Sequence, residues 1–199
     1  MNNKIRNKIK NCLLLLQIKA NLARKKFIVE IILAIIASRK VQFCELSLHI
    51  ESSAKPESTE RRLQAFFEDF EFNYEEIASF LLVLCPKGKL TLCMDRTEWD
   101  FGKFQCNILM ITARYEGIGI PLFWELLDNK SGNSHTLDRI DLLERCVNLL
   151  GYDRVGMLIA DREFIGHKWL KWLKNNKIPF CIRVPKSHSI GLKMAKFIL

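Results

Sequence analysis

The sequence predicts an α/β fold in which a mixed sheet follows a helical N-terminal region. Apolar residues recur at helical spacing up to residue 84. After residue 88, short apolar runs typical of strands dominate, and helix-like segments separate the later runs. A content of 49% apolar and 27% charged residues over 199 positions is that of a folded chain with a hydrophobic core.

The N-terminal region is predicted to hold three helices before the breaker cluster Pro86-Lys87-Gly88-Lys89. A helix over 27–36 is apolar on most sides, which predicts a buried position. The next, Ser58–Phe70, has an apolar stripe and begins near a proline suited to a first turn. The third, Tyr74–Leu84, is expected to be capped by Asn73. The cluster therefore separates residues 1–86, predicted to bind DNA, from a core at residues 87–199.

The second part of the chain alternates strands and helices in a definite order. The predicted helices are Leu137–Leu150, which Gly151 ends, and Gly166–Asn176. The predicted strands are Leu90–Arg96, Gln105–Tyr115, Ile118–Leu127, Val155–Ala160 and Pro179–Val184. The second and third strands pair across Glu116-Gly117 as a hairpin. Three antiparallel strands followed by helix-linked strands form a ribonuclease H-like arrangement, in which the first and fourth strands are parallel neighbours.

Two aspartates are the candidate catalytic residues. Asp95 is predicted to close the first strand and Asp161 the fourth, so both reach the same edge of the sheet. Because neighbouring strands lie about 4.8 Å apart, the two carboxylates repel each other unless a cation or proton lies between them. Oxygen ligands favour Mg²⁺ or Mn²⁺, and a pair of such ions supports phosphodiester chemistry. On pattern alone, a turn role for these residues is equally consistent.

Charge is unevenly distributed along the chain. Residues 1–50 carry a net +8, residues 51–150 carry −6 and residues 151–199 carry +7, within a total of +9. Two basic ends favour a polyanionic partner, although charge alone is equally consistent with a solvated surface. The basic cluster Arg24, Lys25 and Lys26 is the candidate phosphate contact in the N-terminal region. The acidic residues of the Ser58–Phe70 and Tyr74–Leu84 pair argue against a helix-turn-helix facing DNA there.

The segments around both aspartates resemble the signatures of DDE transposases from bacterial insertion sequences. The matching segments, in the order and spacing of that family, are MDRTEWDFG, NILMITARYEGIGIPLFWELLDNKSGNS, LIADREFIG and PFCIRV. The resemblance reaches back to ERRLQAFFEDF and covers roughly residues 58–186. It implies a metal-dependent nuclease and strand transferase, with double-stranded DNA of the element's terminal inverted repeats and of the target as partners. A homodimer on paired DNA ends is implied in the same way.

The resemblance assigns roles to individual positions of this chain. Asp95 matches the first catalytic acid and metal ligand, and Asp161 matches the second. Thr97 and Arg162 are expected near the metal or the DNA backbone. Glu163 is expected to point away from Asp161 and has no catalytic role assigned. Trp99 and Trp169 are either core residues or stack on a base, and burial is the commoner fate.

The chain departs from the family pattern at its C-terminal end. The family supplies a third acid, a Glu, from a downstream helix within a Tyr-Arg-Glu-Lys signature that is missing from these 199 residues. We therefore expect the chain alone to be inactive or severely impaired. Three alternatives stay open: a non-catalytic DNA-binding remnant, another ribonuclease H-like nuclease such as a junction resolvase, and a membrane-surface helix within residues 1–40.

Location is predicted from what the sequence lacks. Its seven cysteines are odd in number and none forms a C-x-x-C spacing, which disfavours disulfides and structural zinc. The apolar run at 27–37 is too short to span a bilayer and is interrupted by Glu30. A cytoplasmic, nucleoid-associated protein without a membrane contact is therefore expected.

Overall fold

The chain forms two compact units in a computed structural model that describes residues 3–14, 18–127 and 134–185. The first unit is Met1–Glu76 and the second is Ile77–Leu199. The division falls inside one helix, whereas the sequence places the boundary after residue 86, at the breaker cluster. The last two turns or so of α5, from Ile77 to Leu84, thus belong to the second unit.

The first unit is helical throughout its described part. Its helices are α1 Asn3–Leu14, α2 Leu22–Ser38, α3 Phe43–Ser47, α4 Pro56–Asp69 and the first residues of α5 Tyr74–Leu84. Helix α2 is largely buried, as expected: Phe27, Ile28 and Ile31 are buried, although Ile36 near its end is 46% exposed. Asn21 caps α2 by accepting a hydrogen bond from the Arg24 backbone N–H at 2.9 Å.

Helix α4 packs against the short helix α3. Leu63 and Phe66 are buried, while Phe67 is 43% exposed and its ring stacks on Phe43 with centroids 5.3 Å apart. Pro56 occupies the first turn of α4, as the sequence predicts. Asn73 caps α5 as expected, accepting from the backbone N–H groups of Glu75 and Glu76.

The second unit contains a five-stranded mixed sheet. Its elements in chain order are β1 Leu90–Phe101, β2 Phe104–Tyr115, β3 Ile118–Leu127, α6 Thr136–Leu150, β4 Val155–Ala160, α7 His167–Asn175 and β5 Phe180–Ile182. The strand order is β3-β2-β1-β4-β5, with β1 antiparallel to β2 and parallel to β4. The predicted α/β fold is confirmed: a ribonuclease H-like mixed sheet that is preceded along the chain by a helical N-terminal region.

Strand β1 is longer than predicted. The expectation that Asp95 closes this strand is wrong, since β1 continues to Phe101 and pairs with β2 all the way to Phe101↔Phe104. The extension is stable because β2 supplies partners and because Gly102, with φ +61°, makes a tight turn before Lys103. Strand β4, by contrast, ends at Ala160 opposite Met94. The β1–β2 hairpin therefore projects past the end of β4.

One face of the sheet forms the core. Alternate residues of β1, β2 and β4 are buried there together with α6 and α7, and examples are Leu92, Met94, Leu109, Ile111, Leu158 and Ala160. We call this the covered face. The apolar spacing of α6 predicts that Leu137, Leu143 and Val147 face the core. Leu143 and Val147 are buried there, but Leu137, the second residue of the helix, is 77% exposed, which corrects that expectation.

Two predicted turns are present. Glu116 and Gly117 both have positive φ, +47° and +84°, and they join β2 to β3. Gly151, with φ +90°, ends α6 as expected. Among the described residues no helix is both long and apolar enough to cross a membrane.

Candidate metal centre

Asp95 and Asp161 occupy adjacent positions on neighbouring parallel strands. The last residue pair of the β1–β4 ladder is Met94↔Ala160, so the next residue of each chain segment is one of the aspartates. Neighbouring strands lie about 4.8 Å apart. Met94 and Ala160 are both buried on the covered face. Because strand residues alternate, both aspartates project from the opposite face, which we call the carboxylate face.

Both carboxylates are exposed and accept few bonds from the protein. Asp95 Oδ1 accepts a hydrogen bond from the Arg96 backbone N–H at 2.9 Å. The Asp161 side chain makes no hydrogen bond or ion pair with the described residues, and it does not cap the turn that follows it. Most of the acceptor capacity at this position is thus free for a cation or for solvent.

The donor set fits an oxygen-preferring divalent cation. Two adjacent carboxylates supply oxygen ligands only, which suits Mg²⁺ or Mn²⁺ better than zinc. No group of three or more His, Cys, Asp or Glu within the described ranges could hold a metal ion. A cation at this edge of the sheet would be held by Asp95 and Asp161, which follow the last pair of the β1–β4 ladder.

Thr97 and Arg162, which the sequence singles out as companions of the aspartates, lie beside them. Thr97 is half-buried two residues after Asp95 on the carboxylate face, and its Oγ1 accepts from Trp99 Nε1 at 3.1 Å. Arg162 is exposed directly after Asp161 and makes no hydrogen bond or ion pair with the described residues. Arg162 is consequently available to an anionic ligand.

Glu163 does not lie in a continuation of strand β4, which ends at Ala160. Arg162–Phe164 forms a single 3-10 turn, which turns the chain away from β4 after Asp161. Both Glu163 carboxylate oxygens accept from Arg96 on β1, from Nε at 3.3 Å and from Nη2 at 3.3 Å. Glu163 therefore forms an ion pair with Arg96.

A polar network that sequence reasoning missed surrounds this contact. Arg96 Nη1 also donates to Glu98 and, at 3.2 Å, to the buried Asn107 Oδ1. Nearby, Arg139 is 4% exposed; it donates to Ser134 Oγ at 2.8 Å and to the Ser134 carbonyl at 2.7 Å. The sequence signal for this network was weak. Arg96 and Glu163 lie near predicted strand ends, where charged residues are usually expected to face solvent.

The electrostatics of the two arginines differ. Burial acts to lower the pKa of Arg96, but the hydrogen bonds that Arg96 donates to the Glu98 and Glu163 carboxylates outweigh it, so the pKa is raised. For Arg139, burial dominates and lowers the pKa, although Glu163 and Asp138 oppose that effect. Both groups stay cationic at neutral pH because an arginine pKa lies far above it.

The basic residues predicted for the N-terminal region are partly engaged. Arg24 forms an exposed ion pair with Asp69 at 3.4 Å and lies over the Phe70 ring. Lys26 is exposed and Lys25 is half-buried on the same helix. Of these three residues, Arg24 is thus the one that forms an ion pair with the described residues.

The two tryptophans that the sequence left undecided have opposite environments. Trp169 on α7 is fully buried, and its ring stacks on Trp172 with centroids 5.8 Å apart. Trp99 lies on the projecting hairpin and is 57% exposed. Burial is the correct expectation for Trp169 and the wrong one for Trp99.

Comparisons with known proteins give distant structural similarity. No protein-family model matches the sequence, and no curated protein matches it. The HTLV-2 integrase catalytic core domain in complex with magnesium aligns in its dimeric form with a TM-score of 0.35 and 12% identity, over 50% of this chain and 62% of that chain. Its trimeric form aligns with a TM-score of 0.36 and 10% identity, over 48% and 60%.

A third similar structure is the simian T-cell lymphotropic virus intasome in complex with PP2A regulatory subunit B56 gamma. It aligns with a TM-score of 0.37 and 11% identity, over 77% of this chain and 51% of that chain. The alignments thus span less than two thirds of each neighbour's own chain.

Proposed function

We propose that this chain is part of a DDE-type DNA transposase of the bacterial insertion-sequence kind, acting as a nuclease and strand transferase. The observation that carries the proposal is the adjacency of Asp95 and Asp161 on the carboxylate face. The motif resemblance over roughly residues 58–186 supports the same assignment. Under this proposal the protein is cytoplasmic, associates with the nucleoid and works as a homodimer on paired DNA ends.

The chemistry consists of two displacements at phosphorus. In the first, a water oxygen attacks a phosphodiester at the element end; the P–O3′ bond breaks and frees a 3′-hydroxyl. In the second, that hydroxyl attacks a target phosphodiester, a new P–O bond forms and the target's own 3′-oxygen leaves. Divalent ions, when bound, stabilise the attacking and leaving oxygens of such displacements.

The residues of this chain have separate parts in that chemistry. Asp95 and Asp161 hold the cation through carboxylate oxygens. The Asp161 carboxylate is available because it does not cap the turn that follows it. Arg162 is placed to contact a backbone phosphate beside them, and Thr97 borders the same face. Lys25 and Lys26, with Arg24 when it releases Asp69, bind phosphates of the DNA ends.

Iron-directed cleavage of the protein backbone tests the metal site without requiring catalysis. Fe²⁺ that replaces Mg²⁺ generates radicals with ascorbate and peroxide, and these cut the chain close to the metal. We expect cuts near residues 95 and 161 that excess Mg²⁺ suppresses and that Asp95→Asn abolishes. Asp153→Asn, an exposed carboxylate elsewhere in the same unit, is the matched control and keeps both cuts. Cuts that ignore Asp95→Asn contradict the proposal.

The alternative is a DNA-binding remnant without cleavage. It is favoured because no group of three or more potential metal ligands lies among the described residues, and two aspartates alone organise a metal pair poorly. DNA carrying the terminal repeats, titrated at several salt concentrations with and without Mg²⁺, separates the two. Salt-sensitive binding without metal-dependent nicking indicates the remnant, whereas nicking lost in Asp161→Asn indicates the active enzyme.

A further inference from the structure

The Arg96–Glu163 contact joins the two segments that carry the aspartates. Arg96 is the residue after Asp95 on β1, and Glu163 lies two residues after Asp161 in the 3-10 turn. The guanidinium meets the carboxylate side-on, with Nε and Nη2 each 3.3 Å from a separate oxygen. A two-point contact of this kind restricts rotation as well as distance.

This contact lies on the reverse side of the sheet from the aspartates. Arg96 follows Met94 by two residues, so it extends from the covered face, whereas Asp95 projects from the carboxylate face. Beyond Met94↔Ala160 the β1–β4 ladder has ended. Asp95 and Asp161 thus lie one residue beyond the last backbone pair, and the Arg96–Glu163 contact is an additional tie between the two segments at this point.

The surroundings make Arg96 a fixed anchor. Its side chain is 14% exposed, and Glu98 and Asn107 occupy Nη1, the nitrogen that Glu163 leaves free. The Arg139 guanidinium lies over the Phe164 ring, 5.0 Å from its centroid, and supports the turn from below. Removing Glu163 would leave part of a half-buried cation without a partner, which is costly.

We infer that the Arg96–Glu163 bridge is a positioning device that holds the segment of Asp161 beside that of Asp95, so that the two carboxylates can share a metal ion. The inference rests on the proposed function, because it concerns how that metal site is organised. Glu163 acts here through Arg96 and not as a ligand, since both of its oxygens are bound on the face away from the aspartates. Partners that orient metal ligands in this way change metal affinity by about 10–100-fold when removed.

The test uses the full chain with two independent measurements. Hydrogen–deuterium exchange of a peptide covering residues 160–165 reports how firmly the turn is held, without any metal. Electron paramagnetic resonance of free Mn²⁺ during a titration reports the metal affinity. The variants are Glu163→Gln, Arg96→Lys, which keeps the charge but loses the side-on geometry, and Asp95→Asn.

A matched control is available in the same unit. Arg145 and Glu125 form an Arg–Glu bridge of 2.5 Å between α6 and β3, also between partly exposed side chains. Glu125→Gln removes an Arg–Glu contact that involves neither Arg96 nor Glu163; it is a single-point contact, and Arg145 keeps Asp141 as a partner. A core peptide covering residues 142–147 serves in every variant as the check that the fold is intact.

The expected result is specific to the bridge. Glu163→Gln speeds exchange at residues 160–165 and weakens Mn²⁺ binding about tenfold, Arg96→Lys has a smaller effect, and Glu125→Gln has neither effect. Faster exchange with unchanged Mn²⁺ affinity would show a purely structural bridge and overturn the inference. Unchanged exchange would overturn it as well. Equal Mn²⁺ binding by the wild type and Asp95→Asn would instead overturn the proposed function, while the exchange data still report on the bridge.

Discussion

The covered face and the carboxylate face are built from the same strands but carry different kinds of residue. On β1, Leu92 and Met94 are buried against the helices, whereas their neighbours Cys93 and Asp95 are half-buried and exposed. The period of two along a strand makes this division possible. The difference between the two faces shows that packing of the core fixes the strand register. That register in turn brings the two aspartates together.

The largest expected contrast is between the two tryptophans. Trp169→Ala removes a fully buried ring on the covered side and is expected to destabilise the second unit by about 3–5 kcal/mol. Trp99→Ala, on the exposed hairpin, is expected to cost about 1 kcal/mol or less. Urea denaturation followed by far-UV circular dichroism measures both. Similar losses in the free energy of unfolding for the two variants would show that Trp99 is buried against a neighbouring surface in solution.

Alkaline pH probes the covered face through a thiol. Burial raises the pKa of Cys146 to about 12, from an ordinary value of 9.0. The folded state therefore retains a proton that the unfolded state loses above pH 9, so stability falls as pH rises through this range. By pH 10.5 the contribution lost is about 2 kcal/mol.

Comparison of the wild type with Cys146→Ala isolates that contribution from other titrating groups. Denaturation midpoints are measured at pH 8 and at pH 10.5 for both proteins. The variant is expected to lose less stability across the interval. Parallel losses would mean that water reaches Cys146 in the folded state.

The carboxylate face is probed by metal-dependent stability. Mn²⁺ at ten times its dissociation constant is expected to stabilise the wild type by about 1.4 kcal/mol, because it binds only the folded state. Asp95→Asn should abolish this gain and, without metal, should be as stable as the wild type or more so, since carboxylate repulsion is relieved. Thermal melting with and without Mn²⁺ gives the answer. A gain that survives in the variant would place the metal elsewhere.

The smallest predicted effect concerns the turn that sets the register of β2 and β3. Gly117 has φ +84° and Gly88 has no positive φ, and an added Cβ meets nothing within 4 Å at either position. Gly117→Ala is thus expected to cost about 1 kcal/mol through backbone conformation alone. Gly88→Ala should change stability little. Equal effects in denaturation experiments would indicate that the turn relaxes.

Local pattern was enough to predict most elements of the second unit. Strand β3 runs from Ile118 to Leu127 and β4 from Val155 to Ala160, both as predicted. Periodicity did not reveal the end of β1, because residues 97–101 become a strand only through pairing with β2. Leu137 and Ile36 were expected to be buried but are 77% and 46% exposed, because burial depends on which segments pack against each position.

The candidate site divides in the same way. Asp95 and Asp161 were identifiable from motif and strand order, and the parallel register places them side by side. The partners of Arg96 were not identifiable, because Glu163 and Asn107 lie 67 and 11 residues away from it in sequence. Contacts between distant residues depend on how the segments pack, and a pattern along one strand does not contain that information.

The sequence by itself determined the order of the strands and helices, the alternation of buried and exposed residues along the strands, and the identity of the two aspartates. These follow from hydrophobic periodicity and turn residues, which act locally. Only the tertiary structure decided where β1 ends, which tryptophan is exposed and how Arg96 joins Glu163. Each of those depends on a partner supplied by another segment, since burial and ion pairing are properties of neighbours in space.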